Sequence, residues 1–561
     1  MKREINFIKL FFDEKDRFKI SILTFFLIAT TFFEVLSIGV LIPVAYNILG
    51  LSYDASQNSQ LIKFIDFLNF SNEISLNLMI LASVFIIKNF FIYYFNKFRV
   101  DLFSEVYLKN SRKVYQNYLN KNYEDHISRN ISLTNQNIIN ELRSLTERFF
   151  NPAVVIVSEL LILVVIIISL IFLKQYMIFI VIFLLGLVGL IYLKIFSNYF
   201  YSIGKRRREN EAMSRQIVSE GLMGFKEILI LNKQNFYLDR FSDFSKKYIF
   251  SNNIFSYLAI LPRIILETVV VVIFAALIIL TLKFQNQIPI ESVILFLAIS
   301  YRLLPVANRL ALNFNYVKFS FPILKHLEKE KIFKETKQNS NSIIKKIQFL
   351  KNIKLKDVNF NYKNNKKKII KNLNLEIKKN TITGIFGPSG SGKSTLVNLI
   401  TGLLTPKSGQ ILLDGKNINK NLNSYQNLIS YLSQDLFLMN DTVLNNITFG
   451  EKLSSQDKKK LIWCLKKVKI FDFLKQKKGI YTNISQQGFD LSGGQKQKII
   501  IARSLFNNKE IIVLDEATSS LDKSSEQELI KLIYSLKKIK TIIIISHDIN
   551  LMRKVDKLIK F

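Results

Sequence analysis

The sequence predicts two architectures in one chain, an α-helical membrane-spanning part followed by an α/β domain. Three observations predict them. Six apolar segments, at about 19–45, 76–96, 153–173, 176–196, 264–283 and 289–312, are each long enough, at about 1.5 Å per residue, to cross a hydrocarbon core of about 30 Å. From residue 351 onward, short apolar strands alternate with helical stretches, the pattern of an α/β fold. Within that second part, TITGIFGPSGSGKSTLVNLITGLL reads as a strand, a glycine-rich turn and a helix.

The 561 residues are 49% hydrophobic yet carry a formal net charge of +35, so the two properties must be segregated along the chain. They are: the basic excess lies mainly after residue 330. With 47 Phe and 22 Tyr the chain is too apolar to be disordered, and a single cysteine, Cys464, excludes a disulfide framework. The third apolar segment, AVVIVSELLILVVIIISLIFL, is interrupted by one charge only. Two long polar connections, about 97–150 and 197–254, alternate with short ones, and Lys205, Arg206, Arg207 and Arg208 lie in a long one. The positive-inside rule therefore places the long connections and both termini in the cytoplasm. In the first outer connection, LIKFIDFLNF at 61–70 has the spacing of a short amphipathic helix on the outer membrane surface.

Ionisable residues inside the apolar segments are expensive, about 2.5 to 3.5 kcal/mol each near the bilayer centre. Glu34, Lys88, Glu159, Arg263, Glu267 and Arg302 are such residues. Two readings stay open. Arg263 and Glu267 are one helical turn apart and would neutralise each other, or the bases line a watery cavity for an anionic substrate.

The boundaries read as a membrane domain over 1–327, a lysine-rich linker over 328–350 and an α/β domain over 351–561. Gly387, Pro388, Ser389, Gly390, Ser391, Gly392, Lys393 and Ser394 match G-x-x-x-x-G-K-[ST] between a strand and a helix. Backbone N–H groups of such a loop wrap phosphates; Lys393 reaches the β- and γ-phosphates, Ser394 ligates magnesium and Thr395 supports the α-phosphate. EIIVLDEATSSLD ends a second strand in two carboxylates, Asp515 to hold magnesium and Glu516 to polarise an attacking water. These elements predict a nucleoside triphosphatase using Mg2+, without fixing of which kind.

Leu491-Ser492-Gly493-Gly494-Gln495, followed directly by a helix, decides the type. Here the sequence resembles the ATP-binding cassette (ABC) transporter family. The resemblance makes Gln434 the Q-loop glutamine near the metal, Ser519 to Asp522 the D-loop, His547 the switch histidine and Tyr362 the aromatic that stacks on adenine. It implies an ABC exporter-type transmembrane domain of six spans with a P-loop cassette containing a helical subdomain. It also implies that Ser492, Gly493, Gly494 and Gln495 contact ATP held by another cassette, so that a second cassette completes each site, with a homodimer of this chain favoured and a heterodimer open beside it. Segments 121–130 and 218–228 are the expected coupling contacts. Within the exporters, SYRLLPVANRL, LPRIILE and IIKNFFIYYF resemble bacterial lipid-linked oligosaccharide flippases of protein N-glycosylation, which implies Lys88, Arg263 and Arg302 as cavity bases for a lipid-linked pyrophosphate. Export of a peptide, toxin, drug or lipid A-like lipid stays open beside it. A nucleic-acid partner is not expected, because no aromatic-basic module accompanies the charge. The expected location is a bacterial inner membrane.

Overall fold

The computed structural model describes residues 2–49, 74–172, 176–283, 290–333, 347–363, 367–388, 390–433, 436–485, 490–516, 523–546 and 552–561. Two compact units result, Met1–Asn120 with Arg129–Thr336, and Lys121–Ser128 with Lys337–Phe561. The short stretch 121–128 thus belongs to the C-terminal unit although it lies between helices of the first. Segment 61–70 lies outside the described residues.

In chain order the first part comprises α1 (Lys2–Phe11), α2 (Glu14–Leu49), α3 (Ile74–Leu119), α4 (Tyr123–Ile127), α5 (Ile131–Gln136), α6 (Leu142–Leu145), α7 (Asn151–Phe172), α8 (Tyr176–Met223), α9 (Phe225–Ile230), α10 (Gln234–Lys283) and α11 (Ile290–Lys329). Among the described residues, four helical stretches are long and apolar enough to cross a membrane: Leu78–Leu119, Ile131–Ile168, Ile182–Met223 and Gln234–Ile279. The helices α3, α8 and α10, of 46, 48 and 50 residues, are roughly twice the length that about 30 Å of hydrocarbon requires. Hydropathy marks only their apolar halves; the polar halves stay helical because each packs on neighbours, α8 on α10 and α11, and α2 on α3.

The polar end of this unit is held by aromatic packing and ion pairs. Phe11 and Phe12 pack on Phe150 at 4.6 and 4.9 Å between ring centroids, and Phe7 and Phe333 close the cluster. At the start of α2 the Asp16 carboxylate accepts the amide of Asp13 at 2.9 Å, satisfying a free helix-terminal donor, and Lys109 of α3 pairs with both aspartates. Gly204 of α8 lies so close to α11 that a Cβ there would stand 1.9 Å from the carbonyl oxygen of Phe319, so no larger residue fits without parting the helices.

Two π-helical turns, Asn137–Glu141 and Thr146–Phe150, flank α6. They sit beside a buried polar network in which Arg208 pairs with Glu141 at 3.0 Å and Gln136 donates to the same carboxylate at 3.2 Å. His326 of α11 donates from Nε2 to Asn137 Oδ1 at 3.1 Å. Burial first, then the cationic Arg208 and Lys329, drive the His326 pKa down to about 4. The folded state therefore binds fewer protons than the unfolded state, whose histidine titrates near about 6.5. Stability from this group is full above that value and is lost as pH falls toward 4. Thermal unfolding of His326→Gln is expected to show a smaller loss of midpoint between pH 7 and 5 than wild type; an unchanged acid slope would contradict it.

The second unit holds β1 (Asn352–Phe360), β2 (Ile370–Lys378), β3 (Ile382–Phe386), α12 (Lys393–Ile400), β4 (Ser408–Leu413), β5 (Lys416–Asn417), α13 (Leu422–Gln426), β6 (Ile429–Leu432), α14 (Val443–Thr448), α15 (Ser455–Lys467), α16 (Phe471–Lys475), α17 (Gly493–Phe506), β7 (Ile511–Asp515), α18 (Lys523–Leu536), β8 (Thr541–Ile545) and β9 (Lys557–Lys560). An antiparallel sheet of order β2-β1-β4-β5 accompanies a five-stranded sheet of order β6-β7-β8-β3-β9. Every residue of β7 (IIVLD) and β8 (TIIII) is buried, the unbroken apolar run that a parallel strand covered on both faces requires. Tyr123 of α4 packs on the core beneath the antiparallel sheet. On the same helix Glu124 accepts the amide of Lys363 at 2.8 Å, and Asp125 pairs with the Lys363 ammonium at 2.6 Å.

Candidate functional site

Parallel strand register assembles the site. In the five-stranded sheet Ile385 of β3 pairs with Ile545 of β8, and Ile545 pairs with Asp515 of β7. Three adjacent strands therefore end at one level, and their carboxyl ends bring together the glycine-rich loop after β3, Asp515 and Glu516 at the end of β7, and Ser546 after β8. Ligands in open α/β sheets bind at this carboxyl edge.

The loop itself is shaped by glycine. Gly392, at φ +100°, turns the chain into α12, and Gly390, at φ +78°, has nothing within 4 Å of where a Cβ would lie. Lys393, buried, donates to the carbonyls of Gly387 and Pro388, both at 2.9 Å, so its ammonium is held inside the loop. The Ser391 hydroxyl oxygen is buried without a hydrogen-bond partner among the described residues. An unpartnered buried hydroxyl, an ammonium and a run of amides fit an anionic phosphate chain. Ser394 is exposed beside them and Asp515 is buried, two oxygen donors of the kind Mg2+ takes.

Burial raises the Asp515 carboxyl above its usual range, Glu516 adding to the rise, while a hydrogen bond from Tyr431 and the charge of Lys393 oppose it. Tyr431 Oη donates to Asp515 Oδ2 at 2.9 Å. Glu516 adopts φ +49°, a left-handed conformation that costs a non-glycine residue of order 1 to 3 kcal/mol. Its amide donates to Ile545 O at 2.9 Å, which anchors the strained residue to the neighbouring strand. Tyr362 lies edge-on to Phe360, with centroids 5.1 Å apart, and its hydroxyl is 3.3 Å from Thr395 Oγ1. It is thereby tied to α12 at the loop.

Ser492 caps α17. Its hydroxyl accepts the amide of Gln495 at 3.3 Å while the Gln495 side chain accepts the amide of Ser492 at 3.0 Å, a reciprocal capping box that presents Ser492 and Gly493 at the helix start. Gly494 is buried in the turn behind them. Ser389, Gln434, Asp522 and His547 lie outside the described residues.

In the membrane unit Lys88 is buried, its Nζ 4.2 Å from the centre of the Phe85 ring. Arg263 pairs with Glu267 at 2.7 Å, the local neutralisation that their spacing allows. Arg302 lies on α11, with its side chain outside the described set. Glu159 is also paired, by a two-pronged contact from Arg309 with the Nη2–Oε2 arm at 3.0 Å. Sequence reasoning passed over Arg309, although it lies seven residues, two helical turns, beyond Arg302 on the same apolar segment. It also passed over Tyr431, whose place in a strand reads as core.

Comparison with known proteins bears on the fold. Across the whole chain the structure matches a bacterial Atm1-family ABC exporter with ATP bound, with a TM-score of 0.77, covering 98% of this chain and 94% of that one at 18% identity. The fold is that of an ABC exporter. Residues 370–519 match the family described as ABC transporter. The alpha-hemolysin translocation ATP-binding protein HlyB of Escherichia coli is 37% identical over 210 residues, which are 37% of this chain and 29% of that protein. The ATP-dependent lipid A-core flippase of Wigglesworthia glossinidia brevipalpis is 32% identical over 374 residues, 65% of this chain and 63% of that one. The chain thus spans under a third of the hemolysin translocator and under two thirds of the flippase. The loop, the carboxylates and the capped α17 all lie within the matched residues 370–519.

Proposed function

We propose that the chain is one half of an ATP-driven exporter of the bacterial inner membrane, with its N-terminus and cassette in the cytoplasm, that moves an anionic amphipathic lipid, a polyprenyl-pyrophosphate-linked oligosaccharide being the favoured substrate. The observation that carries the ATPase part is the common level of β3, β7 and β8, which brings Lys393, Asp515 and Glu516 to one edge. Lys393 and the loop amides bind the phosphates, Ser394 and Asp515 hold Mg2+, and Glu516 accepts a proton from the attacking water. Mg2+ supplies charge neutralisation on the phosphates. Ser492, at the exposed start of α17, is free to meet the nucleotide of a second copy, which supports a homodimer with two equivalent sites. The apolar tip of the α8–α10 hairpin, with Leu222 72% and Met223 82% exposed in the single chain, supports a role for 218–228 as a coupling contact.

The lipid part rests on two supports. The match to a lipid A-core flippase is longer than the entire C-terminal unit, and a buried lysine, Lys88, sits in an apolar helix. Toxin or peptide export is the second reading, favoured by the higher identity to a hemolysin translocator over the shorter stretch. Protein in nanodiscs is expected to show ATPase stimulation by polyprenyl-pyrophosphate glycans above that by lipid A. Stimulation by peptides alone would overturn the lipid assignment.

A further inference from the structure

Tyr431 and Asp515 stand on neighbouring parallel strands. Tyr431 of β6 pairs with Val513 of β7, and Asp515 lies two residues on, so Val513 and Asp515 point to the same face. One two-residue step along a strand is about 6.6 Å, a distance that the length of a tyrosine side chain spans. The phenol therefore leans along the sheet and delivers its proton to Asp515 Oδ2 at 2.9 Å. An ionised carboxylate is an acceptor only, so the tyrosine is the donor. One carboxylate oxygen is taken by the phenol, which leaves the other as an acceptor for a different partner.

We propose that Tyr431 is a positioning residue for the metal: its hydroxyl fixes the rotamer of Asp515 so that the remaining oxygen is presented to Mg2+ bound with ATP. The inference rests on the ATPase reading above and adds to it a residue outside the motifs. Two further features favour orientation over simple packing. Asp515 is only 6% exposed, so a carboxylate without the phenol would have to find another donor in a confined space. Tyr123 and Tyr362 belong to the same aromatic surroundings, yet only Tyr431 among the three donates to Asp515. Outer partners of metal ligands typically set metal affinity by about 10- to 100-fold.

The test uses full-length protein and a fluorescent ATP analogue, with its dissociation constant measured in EDTA and again in saturating Mg2+. The ratio of the two is the gain in affinity due to the metal. Tyr431→Phe, which removes only a hydroxyl, is expected to leave the EDTA constant within about twofold and to cut the ratio about tenfold. Mn2+ binding to the analogue-loaded protein, followed by electron paramagnetic resonance, is expected to weaken in parallel. Tyr123→Phe, which removes a phenol that does not bond Asp515, is expected to change neither. An unchanged or larger ratio in Tyr431→Phe would overturn the proposal, as would equal weakening in EDTA and in Mg2+, which is the signature of a merely structural role. Wild-type protein that binds no analogue at all would overturn the ATPase reading itself, and this inference with it.

Discussion

Glu516→Gln is expected to lower ATP turnover by about 100-fold or more while leaving ATP binding intact. The substitution keeps the size of the side chain and the left-handed backbone at φ +49°, together with the amide bond to Ile545, so the local fold is retained. What it removes is the ability to accept a proton. Phosphate release by purified protein in nanodiscs, measured beside binding of a fluorescent ATP analogue, separates the two effects. Turnover within a few fold of wild type would remove Glu516 from its role, and loss of binding as well would show that the strained residue serves mainly to shape the loop.

Arg309→Ala is expected to cost about 3 to 5 kcal/mol of stability, the second largest effect, because it strands a buried charge. The Glu159 side chain is 7% exposed while Arg309 is 44% exposed, so the glutamate depends on the arginine far more than the reverse. The asymmetry makes a sharper test. Glu159→Gln combined with Arg309→Met is expected to recover most of the thermal midpoint in detergent that Arg309→Ala loses, since neither charge then needs a partner. If Arg309→Ala leaves the midpoint unchanged, the pair is dispensable and Glu159 is neutralised by other means.

Much of the fold and of the candidate site was legible in the sequence, for physical reasons. Spans and the glycine-rich loop are local: the first needs only summed hydropathy, the second only backbone shape. Lys393, Asp515 and Glu516 could be named because the loop and the strand-end carboxylates are short contiguous patterns. Pairing is different. Arg309 and Glu159 are 150 residues apart, and hydropathy totals carry no information on which faces meet. Tyr431 reads as an ordinary strand aromatic until its strand is known to lie beside β7. The neighbours that hold the polar halves of α3, α8 and α10 are likewise invisible in composition, because they are set by which helices meet. The substrate is the least legible part, since the relatives that match include one named for a toxin and one named for lipid A.

The discontinuous make-up of the C-terminal unit has a consequence in time. Glu124 and its partner Lys363 are 239 residues apart, with most of the membrane helices between them. At about 5 to 20 residues per second of synthesis, α4 emerges on the order of 10 to 50 seconds before the strand that receives it. Throughout that interval Tyr123, Glu124 and Asp125 have no seat, and the ribosome is meanwhile delivering apolar segments to the bilayer. The unit therefore includes a piece made well before the rest of it, and that piece can be seated only once the residues around Lys363 have been made.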